Sequence, residues 1–344
     1  MSLTLYVNNN YWTNSLKNVL NAYENSLIPV IKGNGYGIGK SNLAKKSEEL
    51  GLTEIAIGTI FEAQEIINSD FNQIIVMDPI KDLDKNAFDE LKKINDKRLV
   101  LTLSDIKDAT NLENTPVIVE VLTSMKRFGL TANDLKTLSN YQILGLSLHL
   151  PIENSTNGKI TEVKNWLKIY EEVLPQAKKV VYLSHLSKEE FLKIKKEFPN
   201  FVFKLRLGTK FWLNDLSIFQ IKSTVLAVHD VNDENIGYRQ RKINDNYIVI
   251  VSGGTSHGVG LQAPRSNTNL KSRITSILAG VLEAFDQSLS PFVISGKQRW
   301  FAETPHMNVS MLKLSKNITP PKVGSEITAH LRMTTTNFDS VIMN

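Results

Sequence analysis

Along the first two-thirds of the chain, short apolar runs alternate with segments whose apolar residues recur every three or four positions. Residues 27–32, 54–58, 73–77, 98–103, 116–122, 143–149, 179–184 and 201–206 read as strands. Most of these runs are apolar at both parities, as in strands covered on both faces. Between them, residues 40–50, 60–68, 85–94, 132–139, 159–174 and 188–198 carry helical spacing. Strand–helix alternation is the mark of a parallel sheet with crossover helices. Eight strands in this alternation over about 200 residues match the usual size of a closed (β/α)8 barrel. From about Phe219 the rhythm changes to β-type runs broken by Gly, Asn and Asp, at 220–228, 247–252, 306–314 and 326–333, with one helical stretch at 273–285. Residues 232–235 read as a turn, and Pro320-Pro321 opens a loop into the strand at Glu326. The expected organisation is a barrel over 8–218 followed by a mostly β domain over 219–344 that also takes in an N-terminal strand at 1–7.

Composition narrows the function classes. The 344 residues are 42% hydrophobic, enough for a full core, and the net charge is +5. Lysines and acids are interspersed, with no basic stripe carrying interleaved aromatics, so small anions are the expected partners rather than nucleic acid. Cys is absent, which excludes disulfides, thiolate catalysis and Cys-based metal sites; no metal site is expected. No apolar run approaches the roughly 18 residues of a membrane span, and the first residues lack a basic leader pattern, so a cytoplasmic protein is expected.

The most unusual chemistry lies in Val30-Ile-Lys-Gly-Asn-Gly-Tyr-Gly-Ile-Gly39, where an apolar strand ends in a lysine and breaks at once into alternating glycines. At a buried strand end Lys32 is poorly solvated, which lowers an ammonium pKa and frees the amine for Schiff-base chemistry with an aldehyde such as that of pyridoxal phosphate (PLP). The same residues also admit a plain reading, a lysine snorkelling to solvent beside a turn. A phosphate-loop reading fails because GxGxxGK is absent. Arg127, His149 and Arg206 likewise fall at or just beyond strand ends, where barrel active sites gather.

Taken together, these segments resemble the alanine racemase family of fold-type III PLP enzymes. The lysine motif is similar to the family's first strand. Ser124-Met-Lys-Arg-Phe-Gly129 resembles its Gly-Met-x-Arg-x-Gly, Leu146-Ser-Leu-His149 its histidine-ending strand, and Arg206-Leu-Gly-Thr209 its Arg-x-Gly-Ile. In the second domain, Glu234-Asn-Ile-Gly-Tyr238, Val251-Ser-Gly-Gly-Thr-Ser-His-Gly258 and His306-Met-Asn-Val-Ser-Met311 resemble further family segments, in the same order.

The resemblance implies that Lys32 forms the Schiff base with PLP and moves the Cα proton on one face of the substrate. Tyr36, a serine at 184 or 187, and the backbone of Gly208 and Thr209 would hold the phosphate. Arg206 would face the pyridine nitrogen; a permanent cation cannot accept the ring proton, which keeps the ring neutral. Arg127 would bond the phenolic oxygen and the substrate carboxylate, and His149 would stack under the ring and bond Arg206. A head-to-tail homodimer is implied, the β domain of one subunit completing the active site of the other on a small amino-acid substrate.

Departures from the pattern are specific. Thr255 stands where the family has its second base, a tyrosine, and a threonine hydroxyl has no useful acidity near neutral pH. His257, two residues on, is a candidate substitute, and equally a glycine-flanked turn histidine. Glu120 stands where the family has a carboxylated lysine, supplying a carboxylate directly to Arg127. His306 replaces a cysteine and brings another possible base, while Met307 would present its backbone N–H to a substrate carboxylate. Phe338 lies where the family has a phosphate-binding tyrosine. The expected activity is a PLP-dependent amino-acid racemase with two-base Cα proton exchange, Lys32 on one face and His257 of the partner subunit on the other. The alternatives are a decarboxylase or other α-carbon enzyme on the same scaffold, or a PLP-binding protein without turnover.

Overall fold

A computed structural model describes residues 2–112, 115–138, 141–153, 158–261, 274, 277, 280 and 287–344. The chain forms two compact units, one of Thr13–Gly35 and Gly39–Asn214, the other of Met1–Trp12, Tyr36–Ile38 and Asp215–Asn344.

The first unit is a closed barrel of eight parallel strands: β2 (Leu27–Ile31), β3 (Glu54–Ile57), β4 (Gln73–Val76), β5 (Leu99–Leu103), β6 (Val117–Glu120), β7 (Ile143–Leu148), β8 (Val180–Leu183) and β9 (Val202–Leu207). β9 closes onto β2, with Ile28 opposite Arg206. Helix α1 (Asn9–Ala22) precedes β2, and helices α2 (Lys40–Glu49), α3 (Lys85–Ile94), α5 (Lys159–Val173) and α6 (Lys188–Glu197) lie between strands where the periodicity expects them. The expected helix at 60–68 is instead a 3-10 segment, Ile60–Glu65. Glu62 explains it: its carboxylate turns back to accept N–H groups from Gly58, Thr59 and Gly33, which favours a tight turn over a continuing helix. The segment near 132 is likewise short, α4 (Ala132–Leu135) running into a 3-10 turn.

Strand parity decides what fills the barrel. Ile28, Val30, Ala56, Ile75, Met77, Val100, Ile118, Leu144 and Tyr182 form one buried cluster. Because side chains repeat with period two, the residues next along the same parity are Lys32 after Val30 and Glu120 after Ile118. Ser147 pairs with Glu120 in register, and His149 follows Ser147 at the same parity. The apolar fill therefore ends in a polar layer at the carboxyl ends of the strands.

The second unit is built on one mostly antiparallel sheet. Its strands are β1 (Leu3–Val7), β10 (Phe219–Val231), β13 (Asn246–Ser252), β14 (Leu289–Ile294), β15 (Lys297–Phe301), β16 (Val309–Ser315), β17 (Glu326–Ala329) and β18 (Ser340–Met343). β18 pairs parallel with β1, and β1 antiparallel with β10, so both chain ends are held in one sheet. A separate hairpin joins β11 (Glu234–Ile236) to β12 (Arg241–Ile243), confining the expected 232–235 turn to a bend at Asn232 and Asp233. The expected helix at 273–285 lies mostly outside the described residues. β16 begins at Val309 rather than His306, because the carbonyls of 306–308 accept from the neighbouring 253–256 loop instead of a strand. Among the described residues no helix is long and apolar enough to cross a membrane.

Candidate active site

Lys32 lies one residue beyond β2, at the end of the inward-facing column. It is exposed, so the expectation of a poorly solvated amine does not hold; the strand stops at Ile31 and the glycine turn leaves the side chain open. The turn itself is firmly held. Glu62 accepts from Gly33 N at 2.6 Å and Gly58 N at 2.7 Å, tying the ends of β2 and β3, while Lys40 Nζ donates to Gly33 O at 2.7 Å. A Cβ on Gly58 would come within 3.2 Å of the Lys32 Cβ, so the small residue leaves room for the lysine stem.

Glu120, on β6, is fully buried beside two arginines. Arg127 Nη2 lies 3.9 Å from its Oε1, Ser147 Oγ donates to its Oε2 at 3.4 Å, and Arg206 is its strongest electrostatic partner. Burial raises the Glu120 pKa, and the cations oppose that rise. Arg206, on β9, is also buried: Nη2 donates to the Leu148 carbonyl at 3.4 Å, and Nε has no hydrogen-bond partner among the described residues. The expected bond from His149 to Arg206 is thus replaced by one to the carbonyl of the preceding residue. Arg127 sits on an exposed loop, stacked on Phe128 at 4.9 Å. Glu162 of α5 holds that loop by accepting from Ser124 N and Oγ.

His149 is half-buried, its ring 5.2 Å from that of His185. Burial, then the charges of Arg206, Arg127, His185 and Lys32, lower its pKa to about 3. His185 falls to about 4, through burial and then Lys159, Lys210, Arg206 and Lys32. Both rings are therefore neutral at pH 7. His185 takes a left-handed backbone (φ 57°), and the buried Lys159 holds its carbonyl at 2.9 Å and that of Ile152 at 2.8 Å. His185 and Lys159 carry no motif in the sequence, whereas Thr59 and Glu62 fit a capping box that gives no sign of the bond to Gly33.

The depressed His149 pKa has a measurable sign. Above about pH 6.5 both folded and unfolded chains hold the ring neutral. As pH falls below that value the unfolded chain takes up a proton that the folded chain refuses until about pH 3, so stability declines. Between pH 6.5 and 4.5 the linkage is at most about 2 kcal/mol, reduced by solvent screening at a half-buried site. Urea midpoints of the wild type are expected to fall across this window, and those of His149→Gln to fall less.

The remaining expected cofactor residues divide. Gly208 and Thr209 open the short helix α7 (Thr209–Trp212), where backbone N–H groups lack helical acceptors. Ser184 is buried, with Oγ accepting from Leu150 N at 3.2 Å, and Ser187 caps α6 by accepting from Glu190 N at 3.2 Å, so each hydroxyl already has a structural task. Tyr36 is buried in a left-handed conformation (φ 55°) and belongs to the second unit.

In that unit, Thr255 and His257 form a 3-10 turn after β13. His257 is buried with both ring nitrogens engaged: Nδ1 with Gly254 N and Ser256 Oγ, each at 3.2 Å, and Nε2 with Asp339 Oδ1 at 3.1 Å. His306 and Met307 lie on the segment entering β16. His306 Nε2 is 2.5 Å from Glu303 Oε1, its ring is 4.4 Å from that of Tyr238, and Met307 is exposed.

Residues 9–187, just over half of the chain, match the family model described as the alanine racemase N-terminal domain. No curated protein matches. Among solved structures, the alanine racemase of Acinetobacter baumannii is similar over 100% of this chain and 99% of its own, at 15% identity and a TM-score of 0.62. That of Bartonella henselae, with covalently bound pyridoxal phosphate, matches over 100% of both chains at 16% identity and a TM-score of 0.66. That of Bacillus anthracis, with bound L-Ala-P, matches over 99% of this chain and 87% of its own at 15% identity and a TM-score of 0.68. At these identities the structures establish a shared fold, and the model match adds lineage: the chain belongs to the alanine racemase family.

Proposed function

We propose that this chain is a PLP-dependent amino-acid racemase. Lys32 carries the cofactor and exchanges the Cα proton on one face, and the β unit of a head-to-tail partner supplies the base for the other. The observation that carries this reading is the polar layer closing the barrel. It holds an exposed amine with the permanent cations Arg127 and Arg206, two neutral imidazoles, and Glu120 as a buried counter-charge.

That donor set fits PLP. The phosphate, the phenolic oxygen and a substrate carboxylate are all anionic, and the layer is rich in cations and N–H donors. A buried guanidinium N–H without a partner is costly, and the acceptor nitrogen of the pyridine ring would satisfy Arg206 Nε. His149, neutral and held against His185, offers a flat uncharged face. Gly208 and Thr209 would donate backbone N–H groups to the phosphate, with one of Ser184 and Ser187 as a further donor. Bound PLP supplies the electron sink for the pair left when Cα loses its proton. Lys32 Nζ takes or returns that proton on its own face. Arg127, steadied by Glu120, binds the substrate carboxylate and fixes which bond at Cα faces the amine.

Proton NMR in deuterium oxide with a panel of free amino acids tests the reading. Expected is deuterium at Cα, with inversion, starting from either enantiomer of one small amino acid. An amine and carbon dioxide would identify a decarboxylase instead, and bound PLP with no change in any substrate would identify a carrier.

A further inference from the structure

Granted the racemase reading above, we propose that the base for the second face is His306, oriented by Glu303. His306 sits on a rigid mount. The carbonyls of His306, Met307 and Asn308 accept from Thr255, Ser256 and Gly253 at 2.8, 3.0 and 2.9 Å, and His306 N donates to Val309 O at 3.0 Å. A Cβ at Gly254 would lie 2.1 Å from the His306 carbonyl, so the close approach depends on glycine.

The side chain is equally determined. Glu303 is buried; its Oε2 accepts from Tyr238 N at 3.0 Å and its Oε1 lies 2.5 Å from His306 Nε2. A carboxylate accepts, so Nε2 bears the hydrogen, and in the neutral ring the lone pair is then on Nδ1. Nδ1 has no partner among the described residues, and the half-buried ring lies beside exposed Tyr238. An imidazole fixed in one tautomer by a buried carboxylate, with its other nitrogen open, is the arrangement of a general base. His257 is the opposite case, buried with both nitrogens bonded, and Thr255 has no usable acidity.

The step balances without another reactant. For one enantiomer the Cα–H bond breaks, its electron pair stays on the substrate, and the proton forms Nδ1–H on His306. The ammonium of Lys32 delivers a proton to the opposite face and becomes an amine. The other enantiomer runs the same transfers in reverse, and exchange with water restores both bases.

The test compares full-length, PLP-loaded wild type with His306→Gln and Glu303→Gln, each enantiomer incubated separately in deuterium oxide. The glutamine at 306 is expected to slow inversion by about 100-fold or more. Exchange with retention should persist for the one enantiomer whose Cα–H faces Lys32. Glu303→Gln, which keeps the imidazole but lets the amide hold the other tautomer, should slow inversion by about 10-fold or more, and added imidazole should restore part of the inversion to His306→Ala. Inversion at the wild-type rate in His306→Gln overturns the proposal. So does loss of PLP binding and of both exchanges in both variants, which would mark a structural role. Failure of the underlying reading is distinguishable, since then the wild type itself exchanges neither enantiomer.

Discussion

Replacing Lys32 with alanine is expected to abolish Cα proton exchange, by about 10,000-fold or more, while leaving the folded protein intact. The variant loses the only proposed covalent attachment for PLP and the proposed base of one face together, and a positioned general base alone is worth 10²- to about 10⁴-fold. Neighbouring amines are poorly placed to stand in. Lys40 Nζ is spent on Gly33 O and Glu65, and Lys159 Nζ on the carbonyls of Ile152 and His185. Because Lys32 is exposed, its truncation should change stability by no more than about 0.5 kcal/mol. Urea unfolding of both proteins, run beside the exchange assay, separates loss of chemistry from loss of structure.

Arg206→Met is expected to do the reverse and cost the fold itself about 3–5 kcal/mol. Glu120 is buried, and Arg206 is the charge that most offsets its burial; without it the carboxylate inside the barrel keeps only Ser147 and the exposed Arg127, 3.9 Å away. The added substitution Glu120→Gln removes that carboxylate, so the double variant should recover part of the loss, and a double-mutant cycle in urea measures the coupling. The pH dependence has a definite sign. Burial raises the Glu120 pKa, so the folded state of Arg206→Met binds a proton more readily than the unfolded chain, and stability falls as pH rises above the ordinary carboxylate range. The single variant should therefore regain stability on acidification toward the carboxylate range, and the double variant should show less of this recovery.

What the sequence discloses follows from how local the determining forces are. The barrel strands are legible because each needs only a short apolar run between helical spacings, and the strand near Lys32 ends where glycines begin. Lys32, His149 and Arg206 are legible as strand-end polar groups in an apolar context, whereas Arg127 lies on the exposed loop after β6. Glu62, Lys159 and His185 are not, because their importance lies in backbone atoms far away in the chain: Glu62 binds Gly33, and Lys159 binds the His185 carbonyl. The solvation of Lys32 also escapes the sequence, since exposure depends on where the turn leaves the barrel rather than on the strand before it. Motif order alone favours His257 over His306 as a candidate base. Only the hydrogen bonds separate them, closing both nitrogens of one ring and leaving one nitrogen of the other open.

The proposed chemistry depends on Lys32 carrying PLP. Borohydride reduction of the wild-type protein incubated with PLP, followed by peptide mapping, tests it most directly. Expected is one reduced pyridoxyl group on the peptide containing Lys32, together with a visible absorbance band that disappears on reduction. No adduct, or an adduct on another lysine, would contradict it.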